Sequence, residues 1–173
     1  TGELGESRYI LINDLRKFTK DDRRKTAFRY VSMFTKKEEV LDEKYYPSLK
    51  SDPEKIKILS SKYKIDLEKK IIIFAPGAAF GPSKMWPVEK FKELGEKLNK
   101  DFFILVLGSK SEKNIGDKIV TNKNVINLCG ETSITDAVDL MHISEFCVSN
   151  DSGLMHLAAA TNTKSISIYG ATS

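Results

Sequence analysis

From Lys70 onward the sequence keeps a rhythm that few folds can satisfy. Five short apolar runs, IIIFAP, FFILVLG, NVINLCG, EFCVSN and KSISIYG, are separated by four stretches with helical spacing. The first of these, PVEKFKELGEKL, carries Val88, Phe91, Leu94 and Leu98 on one face, and SEKNIGDKIV, ITDAVDLMHI and SGLMHLAAAT follow in turn. Strands that are apolar almost throughout belong to a parallel sheet covered by helices on both faces. The expectation is a doubly wound α/β unit. Right-handed crossovers then bring every strand-to-helix loop to the carboxyl edge of the sheet, where such folds bind ligands.

The text before Lys70 is less regular. Residues 9–13 (YILIN) read as a buried strand, and residues 19–34 as a helix opened by Thr19 with Asp22 three residues on, its apolar face being Ala27, Tyr30, Val31 and Phe34. Residues 35–50 are charged and aperiodic. A second helix is capped by Asp52, starts at Pro53 and repeats Ile56, Leu59 and Tyr63. The chain therefore divides into the end of a first domain (1–34), a linker with a linker helix (35–69) and most of a second domain (70–173). With 173 residues, 40% apolar and 30% charged, disorder and a membrane bundle are excluded, and no apolar stretch reaches the roughly 20 residues that cross a bilayer. No segment has the layout of a signal peptide. Set against 24 acidic residues, 28 basic ones give a formal +4 spread over mixed-sign stretches, which leans toward an anionic ligand and gives no argument for nucleic acid. Cys129 and Cys147 lie in apolar runs without metal or disulfide spacing, as in a reducing, cytoplasmic compartment.

Four loops meet at the expected edge. PGAAFGPSKMWP (76–87) offers Gly77 and Gly81 for backbone approach to an anion, the Ser83 hydroxyl, the Lys84 charge and a helix opened by Pro87. It is neither the P-loop nor the dinucleotide fingerprint, and turn glycines with a surface lysine would also explain it. Trp86 reads as a packing residue. NDSGLMH (150–156) contains Asp151 and Ser152 as possible helix caps, Gly153 for close approach, and His156 one turn after Ser152. Ser152 resembles a nucleophile elbow, but G-x-S-x-G lacks its first glycine and the histidine order is wrong for a triad. GSKSEKN (108–114) could present Glu112 to a ribose diol or simply start a helix. GETSIT (130–135) brings Gly130 and Thr132, with Ser133 as an ordinary cap. A cation, an acid, hydroxyls and glycines on one edge suit a ribonucleotide diphosphate. The loops lack clustered carboxylates for a metal, so neither a metal nor a cofactor is expected.

PGAAFGPSKMWP, NLCGET and NDSGLMHLAAA followed by SIYGATS resemble the bacterial ADP-heptose:lipopolysaccharide heptosyltransferases of glycosyltransferase family nine, and the opening TGELGESRYILINDLR resembles the end of that family's amino-terminal domain. The resemblance implies a GT-B fold, with the acceptor bound by the first domain and the ADP-heptose donor by the second. It implies that Lys84, with Ser83 beside it, contacts the donor diphosphate. It implies Glu112 at the ribose, Thr132 by the adenine, and Asp151, Ser152, Gly153 and His156 facing heptose and phosphates. The family's general base is an aspartate expected upstream of Thr1, and Asp14 does not match it, so the piece alone is expected to bind nucleotide without turnover. The implied acceptor is the lipopolysaccharide inner core, which would be met at the cytoplasmic face of the inner membrane. Another GT-B nucleotide-sugar enzyme, such as an epimerase or a later-core heptosyltransferase, and a non-catalytic ADP- or phosphate-binding module remain the alternatives.

Overall fold

A computed structural model describes residues 2–3, 15–16, 26–35, 45–78 and 85–170. The chain forms two compact units, Thr1–Pro47 and Ser48–Ser173. In the first, strands β1 (Gly2–Glu3) and β2 (Leu15–Arg16) pair in parallel, and helix α1 spans Thr26–Ser32. The expected strand at 9–13, the Thr19 cap and Asp14 lie outside the described residues. The expected apolar face of α1 needs correction. Phe28 is the buried side chain and stacks on Tyr46 at 5.2 Å, whereas Tyr30 and Phe34 are exposed. The reason is local: α1 stops at Ser32, whose hydroxyl donates to the Arg29 carbonyl at 2.7 Å, so Phe34 falls beyond the helix.

The second unit contains the regular alternation. Helix α2 (Pro53–Tyr63) starts as its sequence dictates, with the Asp52 side chain accepting from the N–H groups of Glu54 and Lys55 and Pro53 in the first turn. Then follow β3 (Lys70–Ala75), α3 (Val88–Leu98), β4 (Phe102–Val106), a 3-10 turn (Lys110–Glu112) running into α4 (Lys113–Ile119), and β5 (Val125–Asn127). Helix α5 (Ile134–His142), β6 (Ser144–Asn150), α6 (Gly153–Ala160) and β7 (Lys164–Ile168) complete it. The sheet is parallel throughout, in the order β5-β4-β3-β6-β7.

Both faces of this sheet are covered, which is why its central strands are apolar without interruption. Ile71 and Ile73 of β3 turn toward one core with Leu105, Cys147, Leu59 of α2, Leu140 and Met141 of α5, and Ala158 of α6. Their neighbours Ile72 and Phe74 turn to the other, with Ile104, Val106, Phe91 of α3 and Ile119 of α4. The chain runs from β3 outward to β5, then crosses back to β6 on the opposite side of β3. That reversal opens a crevice at the carboxyl ends of β3 and β6.

Candidate functional site

The crevice is built from the ends of four strands. After β3 the chain passes through Pro76 and Gly77, both buried. After β4 it turns at Gly108 into a reciprocal cap: the Ser109 N–H and hydroxyl donate to Glu112 Oε2 at 2.6 and 2.7 Å. The Glu112 carboxylate lies so close to Gly77 that a Cβ there would overlap it, and a Cβ at Gly108 would sit 2.8 Å from Oε2. Glycines at 77 and 108 thus let the first two loops close on one carboxylate. After β5, Gly130 adopts φ +78, and Ser133 caps α5, accepting from the Asp136 N–H at 3.1 Å while Asp136 accepts from the Ser133 N–H at 2.8 Å.

The fourth loop is fixed from beneath. Asn150, the last residue of β6, donates through Nδ2 to the Pro76 carbonyl at 2.6 Å and accepts through Oδ1 from the Trp86 N–H at 3.0 Å. The buried Ser149 hydroxyl donates to the Asn150 carbonyl at 2.7 Å and lies 3.1 Å from the Ser152 hydroxyl. Ser152 stands at the N-cap position of α6 but makes no side-chain capping bond. Of the two possible caps, Ser152 therefore does not form one, because its hydroxyl turns to Ser149. A Cβ at Gly153 would meet no atom within 4 Å, so the chain's own packing does not require glycine there.

Together these loops enclose a cavity of about 700 Å³. Of the residues singled out from the sequence, Gly77, Glu112, Thr132, Ser133, Ser152 and Gly153 line it. Asp151 and His156 are not part of its wall. His156 is exposed. Ser83 and Lys84 lie outside the described residues. Trp86 packs edge-on against Phe91 at 5.0 Å, a packing role as expected.

What the sequence did not reveal is the apolar floor. Leu107, Ile134, Ala137, Leu154 and Leu157 form one side of the cavity, beneath the polar rim of Ser109, Ser111 and Glu112. The signal was present only as helix starts that are apolar where a polar residue would be ordinary, such as Ile134 in the first turn of α5, 73% exposed.

The electrostatics around the cavity do not favour thiol chemistry. Burial, helped by the nearby Glu112 and Asp117 charges, pushes the Cys129 thiol up to about 12, and burial alone does the same to Cys147. A hydrogen bond from Lys113 holds Glu131 below the usual carboxylate range at the outer rim. Among the described residues, no group of three His, Cys, Asp or Glu could hold a metal ion. The arrangement offers an apolar slot, hydroxyls, a carboxylate and the N-terminus of α6, all at one edge. That combination can hold a planar base, a diol and an anion.

Comparison with known proteins gives a consistent result. Residues 1–173 match the family model described as glycosyltransferase family 9 (heptosyltransferase). The lipooligosaccharide heptosyltransferase 2 of Haemophilus influenzae is 36% identical over 99% of this chain and 54% of its own length, and the lipopolysaccharide heptosyltransferase 2 of Escherichia coli 32% identical over 100% and 53%. The chain thus spans about half the length of these curated relatives. The solved structure of the E. coli ADP-heptose lps heptosyltransferase II superposes with a TM-score of 0.76 at 30% identity, covering 99% of this chain and 56% of that one. The E. coli heptosyltransferase WaaC with ADP-2-deoxy-2-fluoro heptose, at 19% identity and a TM-score of 0.66 over 95% of this chain and 50% of its own, shares the fold.

Proposed function

This chain belongs to glycosyltransferase family 9, the heptosyltransferases, and from that premise we propose that it forms the donor half of a heptosyltransferase II. In this reading the donor is ADP-L-glycero-β-D-manno-heptose and the acceptor is a hydroxyl of the lipopolysaccharide inner core. The acceptor oxygen bonds to the anomeric carbon while the bond from that carbon to the phosphate oxygen breaks. Configuration inverts and ADP leaves. The hydroxyl proton passes to a general base assigned, by family resemblance, upstream of Thr1.

The observation that carries the reading is the 700 Å³ cavity at the crossover of the sheet, with its apolar floor and polar rim. Leu107, Ile134 and Leu157 accept the adenine face, with Thr132 beside it. Glu112 accepts from the ribose hydroxyls with the lone pairs its cap leaves over. The diphosphate lies toward the N-terminus of α6 at Ser152 and Gly153, where partial positive charge favours an anion. Lys84, with Ser83, supplies the charge that offsets the growing negative charge on the leaving group. Asp151 and His156 complete the sugar side. Contact with the cytoplasmic face of the inner membrane would come through the lipid-bearing acceptor. Among the described residues, no helix is long and apolar enough to cross a membrane.

ADP at about one hundred times its Kd is expected to stabilise the folded chain by about 2.7 kcal/mol, raising Tm by several degrees. Lys84→Ala should abolish most of that shift, and Lys84→Arg should restore little because a planar fork fits a point-charge site poorly. Equal ADP shifts in wild type and Lys84→Ala, measured by scanning calorimetry, would remove the diphosphate assignment. Release of ADP from ADP-heptose in the presence of inner-core acceptor measures the transfer itself. Binding without release marks an ADP-binding module.

A further inference from the structure

Asn150 is fully buried at the end of β6, and its carboxamide is used on both sides. Its orientation is dictated by its partners, because a carbonyl can only accept and a backbone N–H can only donate. Pro76 and Trp86 are the two ends of the β3–α3 connection. One side chain therefore ties the residue that follows β3 to the approach to α3.

The same residue is held from both directions. Its own carbonyl accepts from the Ser149 hydroxyl, which also meets the Ser152 hydroxyl, and the Trp86 indole is fixed against Phe91. The next three residues of the chain, Asp151, Ser152 and Gly153, form the turn into α6.

We propose that Asn150 is a positioning residue. It locks the Pro76 carbonyl and the Trp86 N–H to the Asp151–Ser152–Gly153 turn, so that the two cavity walls that follow, Gly77 after β3 and Ser152 and Gly153 after β6, face one anion at a fixed separation. The anion is taken from the ADP-site reading above, on which this part rests. The clamp itself rests on the two hydrogen bonds.

The test uses Asn150→Leu, similar in shape but unable to bond either partner, and exploits the fact that Trp86 is the single tryptophan of the sequence. In the folded variant, Trp86 emission should move to longer wavelength and calorimetric ADP affinity should fall roughly tenfold or more, the cost of leaving buried partners unpaired. Unchanged emission together with unchanged affinity overturns the proposal. Should the variant not fold, amide exchange on the wild-type chain decides. The Trp86 N–H should exchange roughly a hundredfold more slowly than a free peptide amide, and exchange at the free rate overturns the clamp. If wild type binds no ADP, the donor-site reading fails separately. A protected Trp86 amide and an emission shift in Asn150→Leu would still establish Asn150 as the clamp between Pro76 and Trp86.

Discussion

A methyl group added at Gly77 would land on the Glu112 carboxylate, and that carboxylate is already committed to the Ser109 N–H and hydroxyl. Gly77→Ala is therefore expected to displace Glu112 and cost about 1–2 kcal/mol, the scale of a lost cap and its hydrogen bonds. The effect should be non-additive. In a Glu112→Ala background the same substitution should cost far less, and urea unfolding of the four proteins measures the coupling; full additivity would show that the two residues do not meet. Residues of this kind were only half legible beforehand. Gly77 and Glu112 could each be marked as loop residues of interest, but 35 positions separate them, and only the parallel pairing of β3 with β4 brings their loops together. Asn150 was less legible still. Before Asp151 and Ser152 it looks like one more capping residue, and only the pairing of β6 with β3 sets it beside Pro76. Ser152 shows the converse: a local cap was one possible partner, and a strand-end hydroxyl competes successfully for it.

Helix α2 shows how an element read as a linker acquires tertiary roles. Its Leu59 enters the core, the Lys55 ammonium sits 2.9 Å from Asp136 and donates to the Thr135 hydroxyl at 2.8 Å, and the buried Asp139 carboxylate accepts from the Asp52 N–H at 2.8 Å. The Tyr63 hydroxyl donates to the Glu131 carbonyl at 2.6 Å. Its boundaries were legible from Asp52 and Pro53, because capping is local. Its docking was not, because the partners lie 68 to 87 residues further on, in α5 and the loop before it. This attachment should weaken in acid. Burial pushes the Asp136 carboxyl up, but hydrogen bonds from Lys55 and Ser133 outweigh it and hold the group below its ordinary 3.8. A carboxyl depressed by folding contributes stability that is complete above its unfolded value and is lost as pH falls through the folded one. Urea midpoints should therefore drop from just above pH 4 downward, and Asp136→Asn should flatten part of that decline while lowering stability at pH 7. An identical acid slope in the variant would exclude Asp136 as its source.

At the scale of the molecule, the doubly wound sheet was the most legible feature, since uninterrupted apolar strands admit few arrangements and every helix between them kept its period. Both core clusters lie wholly within Ser48–Ser173. A protein of residues 48–173 is accordingly expected to unfold in one cooperative transition with its Tm within about 5 °C of the whole chain, a difference worth only ~1–2 kcal/mol at this size, and to keep its response to ADP. Loss of cooperativity by calorimetry would mean that the first unit carries part of the fold. Where the chain enters this unit, the Leu49 N–H donates to the Ala160 carbonyl and the Leu49 carbonyl meets His142 Nε2, both at 2.8 Å. Ala160 is the last residue of α6, whose first residue, Gly153, lines the cavity. The helix is a rod about 12 Å long with Leu49 fastened to its rear and the cavity wall at its tip, so a substitution at Leu49 and one at Gly153 act on opposite ends of a single helix.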